Sequence, residues 1–474
     1  MTRHSLLSFL MPTVMVATTS WIFVAPTNAR EPIPIDPLWA SADFRRAFTG
    51  AYGTDGRIEP GINTAERDVL DTVATKMRAN DRTGAIATLS DNPLTSGSAA
   101  LLFSLGSLHF EDGNVDVAVK SFEKALAAYP NFRDAHRNLA IALVQQAKLD
   151  EAEPHLIRSM ELGSRDGLTL GLLGYIHASH GRHQAALQAY RLAQLTMPSE
   201  AQWKLGEAHA LLALNDPRAS ASIYGELLSH RPADANLWMN QADAYLQIGE
   251  SPLAIANLEF ARRLGKIEAA EIISLGHLYL NETMTEDAVA CYREALTAAT
   301  PAPFDKAIDA IDALSRFQHW TGARELADLI SNSPAYAAKL ASSPETPKPA
   351  LRTLAHFERV RALIELETGD ATSAAVRVEA LVKRDPLDAE ALVLLARFRE
   401  KEKRIPEAEM LLEQAARDPE HESAAMRALG EMRTRDGRYA ESIEPLKQAL
   451  RLAPDPRLED YLKAVEQVAD LRNP

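Results

Sequence analysis

The sequence predicts an all-α protein built from repeated helix pairs, and three observations predict it: a composition rich in Ala and Leu, a spacing of small residues close to 34, and prolines that recur after most second predicted helices. The apolar share of 46% is ample for a core, while only 6% of residues are aromatic. That balance suits closely packed helices better than sheets. The 474 residues would suggest about three ordinary domains, but a repeat array escapes that count because each unit packs only on its neighbours. With 51 Lys+Arg against 65 Asp+Glu the net charge is −14, which repels phosphate backbones and argues against nucleic acid as the main partner.

The first elements read as a targeting segment. Arg3 and His4 precede an uncharged stretch from Ser5 to Pro26, and Thr27-Asn28-Ala29 offers small residues where a signal peptidase cuts, so residues 1–29 are expected to be an export signal cleaved after Ala29. The same length is compatible with an uncleaved anchor through residues 5–26. Residues 30–65 follow as a Pro- and Gly-rich segment with Trp39, Phe44, Phe48 and Tyr52. Phe44 and Phe48 are one helical turn apart and are placed to cap the first repeat, or to dock a partner.

The repeats come next. Small residues stand at Gly106, Ala140, Gly174, Gly206, Ala242 and Gly276, and again at Ala362, Ala396 and Gly430, most of them 34 apart. A second ladder runs Ala118, Ala152, Ala186, Ser220, Ala254 and Ala288, then Ala374, Ala408 and Ser442. Four residues after each of its rungs comes a bulky side chain: Phe122, Leu156, Tyr190, Tyr224, Leu258, Tyr292, Val378, Leu412 and Leu446. Those two positions share a helical face, so small residues mark close approach of helix axes and large ones plug the gaps. Pro130, Pro198, Pro232, Pro301, Pro386 and Pro454 then stop the second helix. Asp112-Gly113-Asn114, Gly181-Arg182 and Asp436-Gly437-Arg438 supply turns between the two helices.

In phase, a first array fills 66–302. The step from Gly276 to Ala362 exceeds two periods, leaving a degenerate helix pair at 303–330 and a Pro-rich linker at 331–350, where Pro334, Pro344, Pro347 and Pro349 disfavour a long helix. A second array fills 351–456, and 457–474 forms a helix that caps the last apolar face.

Leu102, Leu105, Gly106, Ala118, Phe122, Ala125 and Pro130 make one whole unit that resembles the tetratricopeptide repeat, and Trp238, Ala242, Tyr245, Ala254 and Ala261 match most of another. The resemblance implies a right-handed α-solenoid whose first helices line a concave groove, and a non-catalytic scaffold that holds a protein partner there. Carried over position by position, the groove residues are Phe103, Ser107 and Phe110, Arg137, Asn138 and Ile141, Tyr175, Trp203 and Lys204, Asn240 and Asp243, and His277, with Arg359, Arg397 and Arg427 in the second array. Exposed aromatics mixed with Arg and Asn suit an extended peptide. The family's clamp for a chaperone's terminal carboxylate is missing, since Phe103 and Ser107, then Trp203 and Glu207, occupy its positions. Exported proteins of this kind resemble accessory repeat proteins of TonB-type energising complexes and of polysaccharide export systems. A polysaccharide ligand is the alternative, with Trp203, Tyr175 and Phe110 stacking on sugar rings.

Catalytic signatures are not found: there is no HExxH, phosphate loop, GxSxG or CxxC, and no cofactor is expected. His177, His180 and His183 are the one constellation with metal-ligand types, but Gly181 breaks the helix between them and the sequence offers them no evident carboxylate. Cys291 stands alone and reads as a small buried apolar residue.

Overall fold

The computed structural model describes residues 35–39, 41, 44, 59–341 and 348–472. The export signal, the anchor alternative, Phe48 and Tyr52 lie outside the described residues. Among those residues every regular element is helical, and no helix is long and apolar enough to cross a membrane. The chain divides into two compact units, with the boundary in sequence between Gly265 and Lys266.

Among the described residues, the unit ending at Gly265 holds a single helical turn, α1 (Asp36–Trp39), and then six helix pairs. These are α2 (Thr64–Arg78) with α3 (Arg82–Ser90), α4 (Ala99–Glu111) with α5 (Val115–Ala128), and α6 (Arg133–Gln145) with α7 (Leu149–Glu161). They are followed by α8 (Gly167–Ser179) with α9 (His183–Thr196), α10 (Ala201–Ala213) with α11 (Pro217–His230), and α12 (Ala235–Ile248) with α13 (Ser251–Arg263). The unit from Lys266 pairs α14 (Ala269–Asn281) with α15 (Thr285–Thr297) and α16 (Phe304–Arg316) with α17 (Trp320–Asn332). The short α18 (Pro334–Leu340) comes next, then α19 (Lys348–Glu367) with α20 (Ala371–Arg384), α21 (Ala389–Lys401) with α22 (Ile405–Ala415), α23 (Glu422–Arg435) with α24 (Tyr439–Leu452), and α25 (Pro456–Arg472).

Capping residues start these helices where the sequence places them. Asn63 accepts from the Glu66 amide at 3.0 Å and its own amide donates to Glu66 at 2.8 Å, a reciprocal box that opens α2. Ser98, Asp166 and Asp388 cap α4, α8 and α21 through single bonds of 3.2, 3.0 and 2.9 Å to backbone amides. The turn inside a pair puts one residue in the left-handed region, and this position carries the repeat period as plainly as any side chain. Gly113, Ala147, Gly181, Asn215, Gly249 and Thr283 follow one another at 34-residue steps, as do Gly369, Lys403 and Gly437, all with φ between 58° and 91°.

Both small-residue ladders are where helices touch. The second ladder, from Ala118 to Ser442, is buried at every rung. The bulky residues four places on are buried too, apart from half-buried Leu258. On the first ladder a methyl group at Gly106 would lie 2.7 Å from the Phe122 ring, and one at Gly206 would lie 2.5 Å from the Tyr190 ring. Filling each such slot with an aromatic side chain removes enough apolar surface from water to contribute about 2–3 kcal/mol. Cys291 is buried in this packing.

Within 331–350, α17 runs to Asn332 and α18 follows at once with Pro334 in its first turn, where a missing amide is harmless. Tyr336 is buried there and donates to the Ala302 carbonyl at 2.7 Å, with Phe304 and Phe357 close by. Pro349 sits in the opening turn of the 20-residue α19, which runs on into the second array. At the other end, Leu458, Leu462 and Val465 of α25 close over Leu446 and Ala449 of α24.

Candidate partner-binding face

The first helix of each pair carries the residues expected to bind. The structure divides them into two sets. Phe103, Phe110 and Trp203 are 6%, 9% and 1% exposed, so the expectation of exposed aromatics is corrected: these rings are core. Phe103 packs on Phe122 and Phe132 at 5.7 and 4.8 Å. Trp203 fills the space left by Gly171 on the preceding pair, where a methyl group would sit 2.5 Å from the indole Cδ2, and it stacks with Tyr190 at 6.3 Å. Phe110 is covered by Phe44, 6.3 Å away, which in turn meets Trp39 edge-on at 5.2 Å. A sugar-stacking face therefore loses Trp203 and Phe110.

Asn138, Ile141 and His277 are buried as well. Arg137, 7% exposed, reaches from α6 to Asp166 at the start of α8, 3.8 Å away, and donates to Asn138 at 3.4 Å. Asp166 also accepts from Ser164 at 2.6 Å and from the Thr169 hydroxyl at 2.8 Å. Burial works against this carboxylate, but Arg137 and the hydroxyl and amide donors outweigh it and hold the carboxyl below its ordinary range. The group is a structural latch between pairs. His277 meets the Tyr292 hydroxyl at 2.7 Å, and burial pushes its pKa down to about 4, so at neutral pH it is an uncharged packing residue.

The second set keeps partial exposure. Tyr175 on α8, Lys204 on α10, and Asn240 and Asp243 on α12 are half-buried, on first helices of three successive pairs. Asn240 and Asp243 are three apart and share a helical face. Lys204 is ion-paired with Glu226. In the other unit, Arg359 is half-buried and bonded to Asp388 and Glu390 at 2.7 and 2.6 Å, Arg397 is half-buried, and Arg427 is exposed and paired with Glu431.

The sequence reading missed the carboxylates beside the histidine triplet. Glu153 lies 3.8 Å from His177 and 3.6 Å from His180, and Asp150 is 3.1 Å from His180. Arg182 donates to both Glu153 oxygens at 2.8 and 2.7 Å, so a guanidinium occupies the place a metal cation would need. Among the described residues no group of three or more His, Cys, Asp or Glu is arranged to hold a metal ion. Also unanticipated are the half-buried Trp238 and half-exposed Phe260, stacked at 4.5 Å, with the indole donating to the Pro232 carbonyl at 2.8 Å.

Paired helices, two small-residue ladders and a left-handed turn at 34-residue steps define an all-helical repeat protein. A model of the tetratricopeptide repeat matches residues 103–167, 137–201, 205–267, 359–421 and 404–455, and a second model of the same repeat matches 272–300. These matches span more than half of the sequence, and the chain belongs to the tetratricopeptide repeat family. No curated protein matches it. Among solved structures, a tetratricopeptide repeat protein from Parabacteroides merdae is 19% identical with a TM-score of 0.35, the match covering 56% of this chain and 98% of that one. YrrB, a tetratricopeptide repeat protein with an unusual peptide-binding site, is 16% identical with a TM-score of 0.35, covering 39% of this chain and 91% of that one. MamA is 18% identical with a TM-score of 0.32, covering 34% of this chain and 95% of that one.

Proposed function

We propose that this chain is a non-catalytic, exported scaffold of the bacterial envelope that holds a protein partner on the face formed by its first helices, as an accessory to an envelope machine. The observation that carries the reading is the row of Tyr175, Lys204, Asn240 and Asp243. Repeat packing consumes the buried neighbours of these residues but leaves them half-exposed on consecutive first helices. An aromatic ring, an amide and charges of both signs at repeat spacing suit a peptide segment, whose backbone and side chains need alternating polar and apolar contacts. The net charge of −14 favours a partner with basic character. The N-terminal stretch from Ser5 to Ala29 supports export.

The test is crosslinking capture from an envelope fraction with the full chain and with a Tyr175→Ala, Asn240→Ala, Asp243→Ala variant. A protein held by the first and lost by the second supports the reading. Equal capture by both removes this face as the partner site.

A further inference from the structure

We propose that the groove between α18, α19 and α20 is a second docking site, one that takes an acidic, aliphatic peptide segment of a partner protein. The groove is there because α18 is an added element. It stands between the α16–α17 and α19–α20 pairs, anchored by the bond from Tyr336 to the Ala302 carbonyl. Its last residue, Leu340, adds a wall to a cleft lined by Leu354 of α19 and by Val376, Ala380 and Leu381 of α20. The cleft encloses about 560 Å³, within the range of ligand sites. Val376 is 66% exposed, and Met410, one 34-residue step later on α22, is 61% exposed, so the exposed apolar position recurs on the next pair. Covering such side chains is a source of binding energy.

The charges say which segment fits. Arg377 also lines the groove, but it is already committed: it donates to the two Glu365 oxygens at 3.0 and 3.2 Å and pairs with Glu358. Lys383 and Arg384 are uncommitted. Arg384 lines the groove, and Lys383 follows Val376 and Ala380 on one stripe of α20. Both are exposed, and among the described residues neither meets a carboxylate. A chain with a net charge of −14 repels acidic segments in general, so two free cations at the end of an apolar groove mark a place that accepts one. The segment that fits lays aliphatic side chains against Leu354, Val376 and Leu381 and sets Asp or Glu beside Lys383 and Arg384. This groove belongs to the unit from Lys266, whereas Tyr175, Lys204, Asn240 and Asp243 belong to the other. The two sites have opposite charge preferences, and the chain joins an acidic segment to a basic partner.

The experiment selects a random octapeptide display library on the full chain, on a Val376→Asp variant and on a Lys383→Glu, Arg384→Glu variant. Peptides enriched on the unaltered chain are expected to combine Leu, Ile or Val with Asp or Glu. In isothermal titration they are expected to bind it on the order of tenfold more tightly than either variant. Circular dichroism compares the helicity of the three proteins. If Val376→Asp loses helicity, the charge-reversed variant, altered only at exposed side chains, decides alone. No enrichment, enrichment of basic or uncharged peptides, or equal binding to all three proteins overturns the proposal. A dimer of the unaltered chain that dissociates on Val376→Asp also overturns it, since the groove would then serve a second copy. Envelope capture that depends on Tyr175, Asn240 and Asp243 is expected to be the same in both variants, so failure of this groove and failure of the first face are read separately.

Discussion

The Nδ1 atoms of His136 on α6 and His155 on α7 lie 2.9 Å apart, and the other end of the His136 ring, Nε2, lies 3.0 Å from the Pro130 carbonyl oxygen. A carbonyl only accepts, so Nε2 of His136 carries the proton and its Nδ1 accepts from His155. Both tautomers follow from this chain. Protonating His136 would set two N–H groups against each other. Burial lowers both pKa values from the ordinary 6.5; Arg158 adds to this at His136, where the Pro130 acceptor opposes it, and His136 adds to it at His155.

The sign for stability follows directly. Above pH 6.5 both states are neutral and nothing is lost; as the pH falls below 6.5 the unfolded chain takes up protons that the folded one resists, and stability declines. Thermal melts between pH 8 and pH 5 are expected to show a midpoint that falls on the acid side. A His136→Gln, His155→Gln variant is expected to have a shallower slope. An unchanged slope would remove the pair from the account.

Gly171→Ala is expected to destabilise the chain. Alanine favours a helix by about 1 kcal/mol over glycine, but its methyl group would overlap the Trp203 indole. Overpacking a rigid buried ring costs about 1–3 kcal/mol, so the net change is a loss of up to about 2 kcal/mol, read by urea unfolding. Adding Trp203→Leu is expected to cost less in the Gly171→Ala background than alone.

Thr283→Gly is expected to stabilise. Thr283 holds φ at 61° at the turn where Gly249 stands one repeat earlier. The left-handed region costs a residue with a Cβ about 1–2 kcal/mol, and glycine's added freedom in the unfolded chain returns about 0.5–1 kcal/mol of that. A gain of about 0.5–1 kcal/mol in denaturant unfolding checks it.

Tyr292→Phe is expected to cost about 1–3 kcal/mol by leaving Nδ1 of buried His277 without its partner. The double variant His277→Leu, Tyr292→Phe is expected to lose less than the sum of the two single changes, because no polar atom is then stranded. Additivity in chemical denaturation would contradict this.

Much of the fold was legible because the repeat period is written in small residues, and a missing side chain is a constraint that packing cannot hide. The turn position was legible where glycine marks it, at Gly113, Gly181, Gly249, Gly369 and Gly437; at Ala147 and Thr283 the left-handed backbone leaves no trace in residue type. The binding face was harder to read. Helical phase places Trp203 correctly on a first helix but does not say whether a neighbour covers it, and the signal that it is covered was Gly171, a gap 32 residues earlier. Phe110 was misread for a different reason, since its cover, Phe44, comes from outside the repeats. The partners of Arg137 and His180, Asp166 and Glu153, lie on other helices, which spacing along one helix cannot find.

Tyr190 and Trp203 have a consequence for how this chain bears load. Tyr190, from the α8–α9 pair, presses on Gly206 of the next pair, while Trp203, from that next pair, presses back on Gly171. Each ring is thus a peg driven into the other pair, so under tension neither pair can peel away without extracting a buried aromatic side chain. Residues 167–230 would give way in a single rip, releasing on the order of 200 Å of chain, and so set the grain along which the molecule tears.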